Sequence, residues 1–248
     1  MARITYDELT AESYKAVREI PRDGLAAWRE AVRRHVRPAA GTTLVDIGAG
    51  TGQFAAAFGE WFDVNVVAVE PSAAMRSQIP ESANVQVLEG NASALPLPDA
   101  SADAAWMSLV LHHVPDLEAA AHEIRRVLRP DAPLLIRQGF PGRLDRVELV
   151  RWFPETARAV DSYPSVESTC EVFATAGFRR DALEQLPETY SVSLAGLLDQ
   201  IDTLRQADTS LRSLTDDEFQ RGKERLRRAV ASSPDEPRSN WLDLLVLR

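Results

Sequence analysis

The chain has 248 residues, 45% hydrophobic and 26% charged, the balance of an ordinary globular protein rather than a disordered or fibrous one. Its 28 basic against 37 acidic side chains leave a formal charge of −9, which repels phosphate backbones and argues against nucleic acid as a partner. One cysteine, Cys170, excludes an internal disulfide and any two-thiol mechanism, and no apolar run approaches the roughly 18 residues of a membrane span, so the expectation is a cytoplasmic protein.

In chain order, the first 36 residues read as a helical cap broken by Pro21 and Gly24. From residue 37 short β-like runs alternate with helical ones. Thr43 to Ile47 is a strand that runs into a glycine cluster, and Phe54, Ala57, Phe58 and Trp61 then share a helical stripe. Val64 to Val69, Val85 to Leu88, Ala104 to Val110 and Pro133 to Arg137 are further strands. Between the last two, Asp116 caps a helix with Ala120, Ala121, Ile124 and Val127 on its apolar face. Strands alternating with helices, and apolar almost throughout, predict an α/β, doubly wound parallel sheet with helices on both faces. A core at 37–140 is followed by a less regular region at 141–248. There Glu167 to Gly177 is helical, and a turn at Gly177-Phe178 leads into a strand pair. Residues 191–240 read as a helical insertion containing a capping box at Thr215 to Glu218, ahead of a final strand at Trp241 to Leu247.

The chemistry gathers after the first strand. Val45-Asp46-Ile47-Gly48-Ala49-Gly50-Thr51-Gly52 is a strand, a glycine turn and a helix start, an arrangement that lets backbone approach a ligand closely. The spacing is G-x-G-x-G, and Gln53 stands where the dinucleotide fingerprint needs its last glycine, which weakens a nicotinamide reading. Glu70 ends the second strand 22 positions after Gly48, where a carboxylate can accept both hydroxyl hydrogens of a ribose. Asn91 and Ala92 follow the third strand, where an amide and a backbone N–H could read an adenine edge; Asn91 alone is more often a turn residue.

These stretches, with Val-Glu-Pro-Ser (69–72), Gly-Asn-Ala-Ser-Ala-Leu-Pro-Leu-Pro-Asp (90–99), Leu-His-His-Val (111–114) and Arg-Val-Leu-Arg-Pro (126–130), resemble the class I S-adenosylmethionine-dependent methyltransferases, in the branch with a ubiquinone/menaquinone-methyltransferase-like core. The resemblance covers roughly residues 40–140 and implies a Rossmann-like, mostly parallel seven-stranded sheet. It implies S-adenosylmethionine as cofactor and no metal. Gly48, Gly50 and Gly52 would meet the methionine part, with Ala49 among the cofactor-binding residues, Glu70 the ribose, and Asn91 with Ala92 the adenine. Asn91 stands where the family usually has Asp. Pro71 and Met75 would pack on the adenine ring, Met75 reading equally well as core; Ser108 and Leu109 complete the cofactor set; and Tyr14 or Arg18 of the N-terminal cap would meet the methionine carboxylate, the alternative for both being simple packing and surface charge.

Methyl transfer needs the acceptor at near-attack distance, and a base only where the nucleophile must lose a proton. His112 and His113, just past the fourth strand, are the candidates, with one of the two expected to face the site. His35 and His122 sit in helical patterns and read as surface residues. Arg137, Gln138 and Phe140, with Trp152, Phe153 and the 191–240 insertion, are placed to wall an acceptor pocket. The acceptor expected is small and largely apolar, methylated on oxygen or carbon in secondary or cofactor metabolism, by a monomer or homodimer. A non-methylating cyclase or decarboxylase on the same fold is the alternative, and an RNA or protein methyltransferase a weaker one.

Overall fold

The structure is a computed structural model that describes residues 20–248; Tyr14 and Arg18 lie outside the described residues. In chain order it runs α1 (Ala26–Val36), β1 (Thr43–Ile47), α2 (Gln53–Phe62), β2 (Asn65–Val69), β3 (Val85–Leu88), β4 (Ala104–Ser108), α3 (Leu117–Val127), β5 (Leu134–Gln138), α4 (Val166–Ala174), β6 (Arg180–Thr189), α5 (Leu194–Ala207), α6 (Asp216–Ser232) and β7 (Ser239–Leu247). The strands form one seven-stranded sheet in the order β3-β2-β1-β4-β5-β7-β6. The first five are parallel, and β7 runs antiparallel between β5 and β6. The strand order reverses between β1 and β4, and at such a reversal the flanking connections leave on opposite faces and open a crevice.

Alternation along the strands divides the core. Val45, Ile47, Ala105, Met107, Leu134 and Ile136 face α3 and α4 on one side. Leu44, Val66, Ala68, Ala104, Trp106 and Leu135 face α1 and α2 on the other, where Trp28 meets Trp106 edge to face at 6.0 Å. Burial on both faces is why the strands read as apolar runs. The fourth strand stops at Ser108, two residues short of the expected Val110, because Leu109 turns into the left-handed region at φ 57°. A bulky residue there is held by its surroundings: the Leu109 N–H donates to the Arg137 carbonyl at 2.8 Å.

Between β6 and β7, α5 and α6 pack with the segment after β5 around a third apolar cluster that includes Trp152, Phe153, Leu197, Ile201, Phe219 and Leu226. The Thr215–Glu218 capping box forms at the start of α6, with both reciprocal hydrogen bonds present. Gly222 on α6 is where the two segments touch: a Cβ there would lie 2.0 Å from the Phe153 ring. Gly222→Ala should therefore lower stability by about 1–3 kcal/mol in urea unfolding, overriding the roughly 1 kcal/mol that alanine adds within a helix. An unchanged or higher urea midpoint would show that Phe153 yields at no cost.

Candidate functional site

The carboxyl ends of the parallel strands place their loops at one edge of the sheet. After β1 the backbone turns through three glycines with positive φ, at Gly48, Gly50 and Gly52. At Gly48 the requirement is also steric, since a Cβ would sit 2.6 Å from a Val110 methyl. At Gly50 a side chain would project into open space, touching only the Met75 methyl at 3.9 Å. Room beside bare backbone is what a ligand needs.

Glu70, at the end of β2, ties the turn to the next loop. One of its carboxylate oxygens accepts the Gly50 N–H at 2.9 Å and the other accepts the Ser72 N–H at 2.9 Å. Arg76 backs the same loop through the carbonyls of Glu70 and Pro71. Burial nevertheless dominates and raises the Glu70 pKa, opposed by the two amides and by Arg76. Met75 is buried beside Gly50, and Pro71 is exposed. The Asn91 side chain accepts from the Ser93 N–H at 2.9 Å and closes a turn with Ala94, so it performs the turn role that its type favours.

A cavity of about 70 Å³ opens between β1, β4 and β5, lined by Asp46, Gly48, Ala49, Gly50, Ser108, Leu109, Arg137 and Tyr190 among others. Five cofactor residues named from the sequence thus meet in one place. Sequence reasoning passed over Asp46 in its strand. It is 2% exposed and lines the cavity, with Oδ2 lacking a hydrogen-bond partner. Burial, then the nearby Glu70 carboxylate, push its pKa up to about 7, opposed by the Ala55 N–H. A buried acid at the end of a strand, immediately ahead of glycines, was the available signal.

A second cavity, of about 140 Å³, adjoins the first and shares Leu109, Arg137 and Tyr190 with it. Both His112 and His113 line it, not one alone. They sit on a single 3-10 turn, Leu111–His113, where successive side chains diverge by about 120° instead of pointing oppositely as on a strand. Their rings lie 4.0 Å apart, and His112 stacks on Tyr163 at 4.1 Å and 9°. Gln138 Nε2 approaches His112 Nδ1 at 3.4 Å, while Gln138 Oε1 is buried without a partner.

Arg137 and Gln138 line this cavity as expected, but Phe140 is buried in the core, and Trp152 and Phe153 belong to the third cluster. Apolar side chains such as Leu144, Val147, Val160, Leu204 and Leu242 make up much of the lining, and buried polar ones join them. Arg137, Glu148, Glu188, Asp208, Arg238 and Asn240 line the cavity, each less than a tenth exposed. Arg238 pairs with both oxygens of Glu148, at 2.9 and 2.8 Å. Glu188, with no exposed surface, takes Arg137, the Tyr190 hydroxyl at 3.2 Å and the Asn240 amide at 2.8 Å. These residues come from β5, β6, β7 and the loops around them, more than 50 positions apart in places, so no local motif announced them.

Residues 45–136 match the family described as a methyltransferase domain. The ubiquinone/menaquinone biosynthesis C-methyltransferase of Caulobacter vibrioides is 30% identical over 207 residues, covering 76% of each chain. Two solved structures share the fold. One, from Anabaena variabilis and assigned as a methyltransferase of an antibiotic biosynthesis pathway, has a TM-score of 0.70 at 22% identity, over 89% of this chain and 96% of that one. The other is phosphoethanolamine N-methyltransferase 2 of Haemonchus contortus in complex with S-adenosylmethionine. Its TM-score is 0.62 at 18% identity, over 99% of this chain and 58% of that one.

Because the folded-state pKa of Asp46 lies above its value in the unfolded chain, the folded form keeps its proton longer. This contribution to stability is full below about pH 3.8 and falls as the pH rises to about 7. Asp46→Asn, which keeps an acceptor oxygen and cannot ionise, should raise the melting temperature at pH 8 and leave it nearly unchanged at pH 4, by about 2–4 °C for each kcal/mol recovered. Scanning calorimetry at the two pH values checks this; equal shifts at both would mean that Asp46 is ionised throughout.

Proposed function

The chain belongs to the class I S-adenosylmethionine-dependent methyltransferases, and on that footing we propose that it methylates an oxygen or carbon of a small, single-ring-sized acceptor in secondary or cofactor metabolism. The observation that carries the reading is the shared wall: two cavities, one edged by the glycine turn and one by polar side chains, meet at Leu109, Arg137 and Tyr190. About 140 Å³ is comparable to an engineered protein cavity that admits benzene, and its buried charged lining favours an acceptor with hydrogen-bonding groups. The relative's name supports carbon as one option.

The residues fit the cofactor. The Gly48–Gly50 turn offers bare backbone, and the Glu70 oxygens, each holding one amide, keep lone pairs for ribose hydroxyls. Asp46 brings a buried carboxylate oxygen without a hydrogen-bond partner, the group an ammonium would satisfy. When bound, the cofactor supplies a sulfonium methyl and its own leaving group. The protein positions the acceptor, excludes water and takes any proton released. An imidazole of His112 or His113, both on the wall of the larger cavity, would accept the O–H or C–H proton that the acceptor loses. For His112, an amide of Gln138 turned by 180° accepts from Nδ1–H and leaves Nε2 as the basic nitrogen, which also satisfies Oε1. His35 is not a candidate, since it is engaged with Glu184 at 2.6 Å.

Calorimetry should show S-adenosylmethionine binding to the wild type and at least tenfold weaker binding to Glu70→Ala, about 1.4 kcal/mol; no binding to the wild type overturns the reading. With an acceptor found by mass spectrometry of methylated products from a metabolite extract, replacing the acting histidine by glutamine should cut kcat by about 10²–10⁴. It should also remove the lower limb of the pH profile and leave cofactor affinity unchanged. If both single replacements keep full kcat, no histidine acts as base.

A further inference from the structure

We infer that Arg137, together with the Ser108 hydroxyl, binds the carboxylate of the cofactor's methionine head group, with Glu188 as the positioning residue. This rests on S-adenosylmethionine occupying the smaller cavity. Asp46, Ser108 and Arg137 stand at the carboxyl ends of three adjacent parallel strands. Asp46 is in register with Trp106, and Ser108, two residues further on, is in register with Arg137, so all three project from the face that α1 and α2 cover. All three line the same cavity of about 70 Å³. A carboxylate and a guanidinium on the walls of one small cavity match a zwitterion, an ammonium joined to a carboxylate through one carbon.

Arg137 has the capacity for this. It is 4% exposed, and a guanidinium carries five N–H donors. One terminal nitrogen donates to Ser108 Oγ at 2.9 Å and the other to Glu188, which leaves each terminal nitrogen a second N–H to give. Ser108 Oγ, having accepted from Arg137, still has its own proton to give to a carboxylate oxygen. Glu188 does not cancel the guanidinium outright, because it is also the acceptor for Tyr190 and Asn240. It holds the arginine in one place, while Trp28 and Phe54 lie within 5.3 Å of the guanidinium carbon and keep it from folding away. Removing Arg137 alone would strand a fully buried carboxylate, so the pair is best removed together.

The test is calorimetric binding of two ligands, S-adenosylhomocysteine and its decarboxylated form, which keeps the adenosine and the ammonium and lacks only the carboxylate. They are measured on the wild type, on the double variant Arg137→Met/Glu188→Gln and on Arg137→Lys. The wild type should bind S-adenosylhomocysteine at least tenfold more tightly than the decarboxylated ligand. That preference should shrink to within threefold in the double variant and be partly kept by lysine, while affinity for the decarboxylated ligand stays within about threefold of wild type. The ratio of two ligands on one protein is insensitive to a general loss of stability. A wild type that binds both ligands equally overturns the proposal, as does a preference undiminished in either variant. A wild type that binds neither ligand overturns the cofactor reading itself.

Discussion

A parallel sheet covered on both faces can meet a ligand only beyond the carboxyl ends of its strands, where helices no longer cover the backbone. In this chain the constraint concentrates function at the point where the strand order reverses, between β1 and β4. The glycine turn follows β1, Glu70 closes β2, Ser108 and the histidine turn follow β4, and Arg137 and Gln138 end β5. None of these positions is interchangeable with the opposite end of the sheet. The connection entering β5, for example, ends in the Pro130 turn and contributes to neither cavity.

The same edge holds the molecule's costliest polar burial. Asp46, Glu70, Arg137, Glu148, Glu188, Arg238 and Asn240 are each less than a tenth exposed. Such groups are stabilising only when every partner is present, and several here lack one: Asp46 Oδ2, Arg137 Nε and Gln138 Oε1. These three belong to side chains that line the two adjoining cavities, whereas Trp28 Nε1, Trp106 Nε1, Trp152 Nε1 and Thr169 Oγ1, also without a partner, lie in the core. The left-handed Leu109 is a strained residue on the wall the two cavities share.

Antiparallel β7 gives the site its asymmetry. By inserting between β5 and β6 it carries Arg238 and Asn240 to the larger cavity, where they meet Glu148 and Glu188. The helices between β6 and β7 add Leu204, Ala207 and Asp208 to the cavity wall, while most of their apolar stripe packs into a separate cluster. An apolar stripe at helical spacing was core, as such stripes usually are.

By itself the sequence determined the alternation of strands and helices, the parallel core, the glycine turn and Glu70, because each rests on neighbours a few residues apart: periodicity, capping and turn chemistry are local. It also marked the two histidines, since they follow a strand directly. It went wrong where orientation mattered: the strand ends early because Leu109 is left-handed, and both histidines line one cavity because they sit on a 3-10 turn. Only the tertiary structure decided that Asp46 faces a cavity, that Arg137 stands between two of them, and that buried ion pairs join apolar side chains around the larger one. Those facts depend on pairing between segments as much as 92 residues apart, as Glu148 is from Asn240. A sequence states which side chains exist along the chain; the register of β5, β6 and β7 decides which of them share a space.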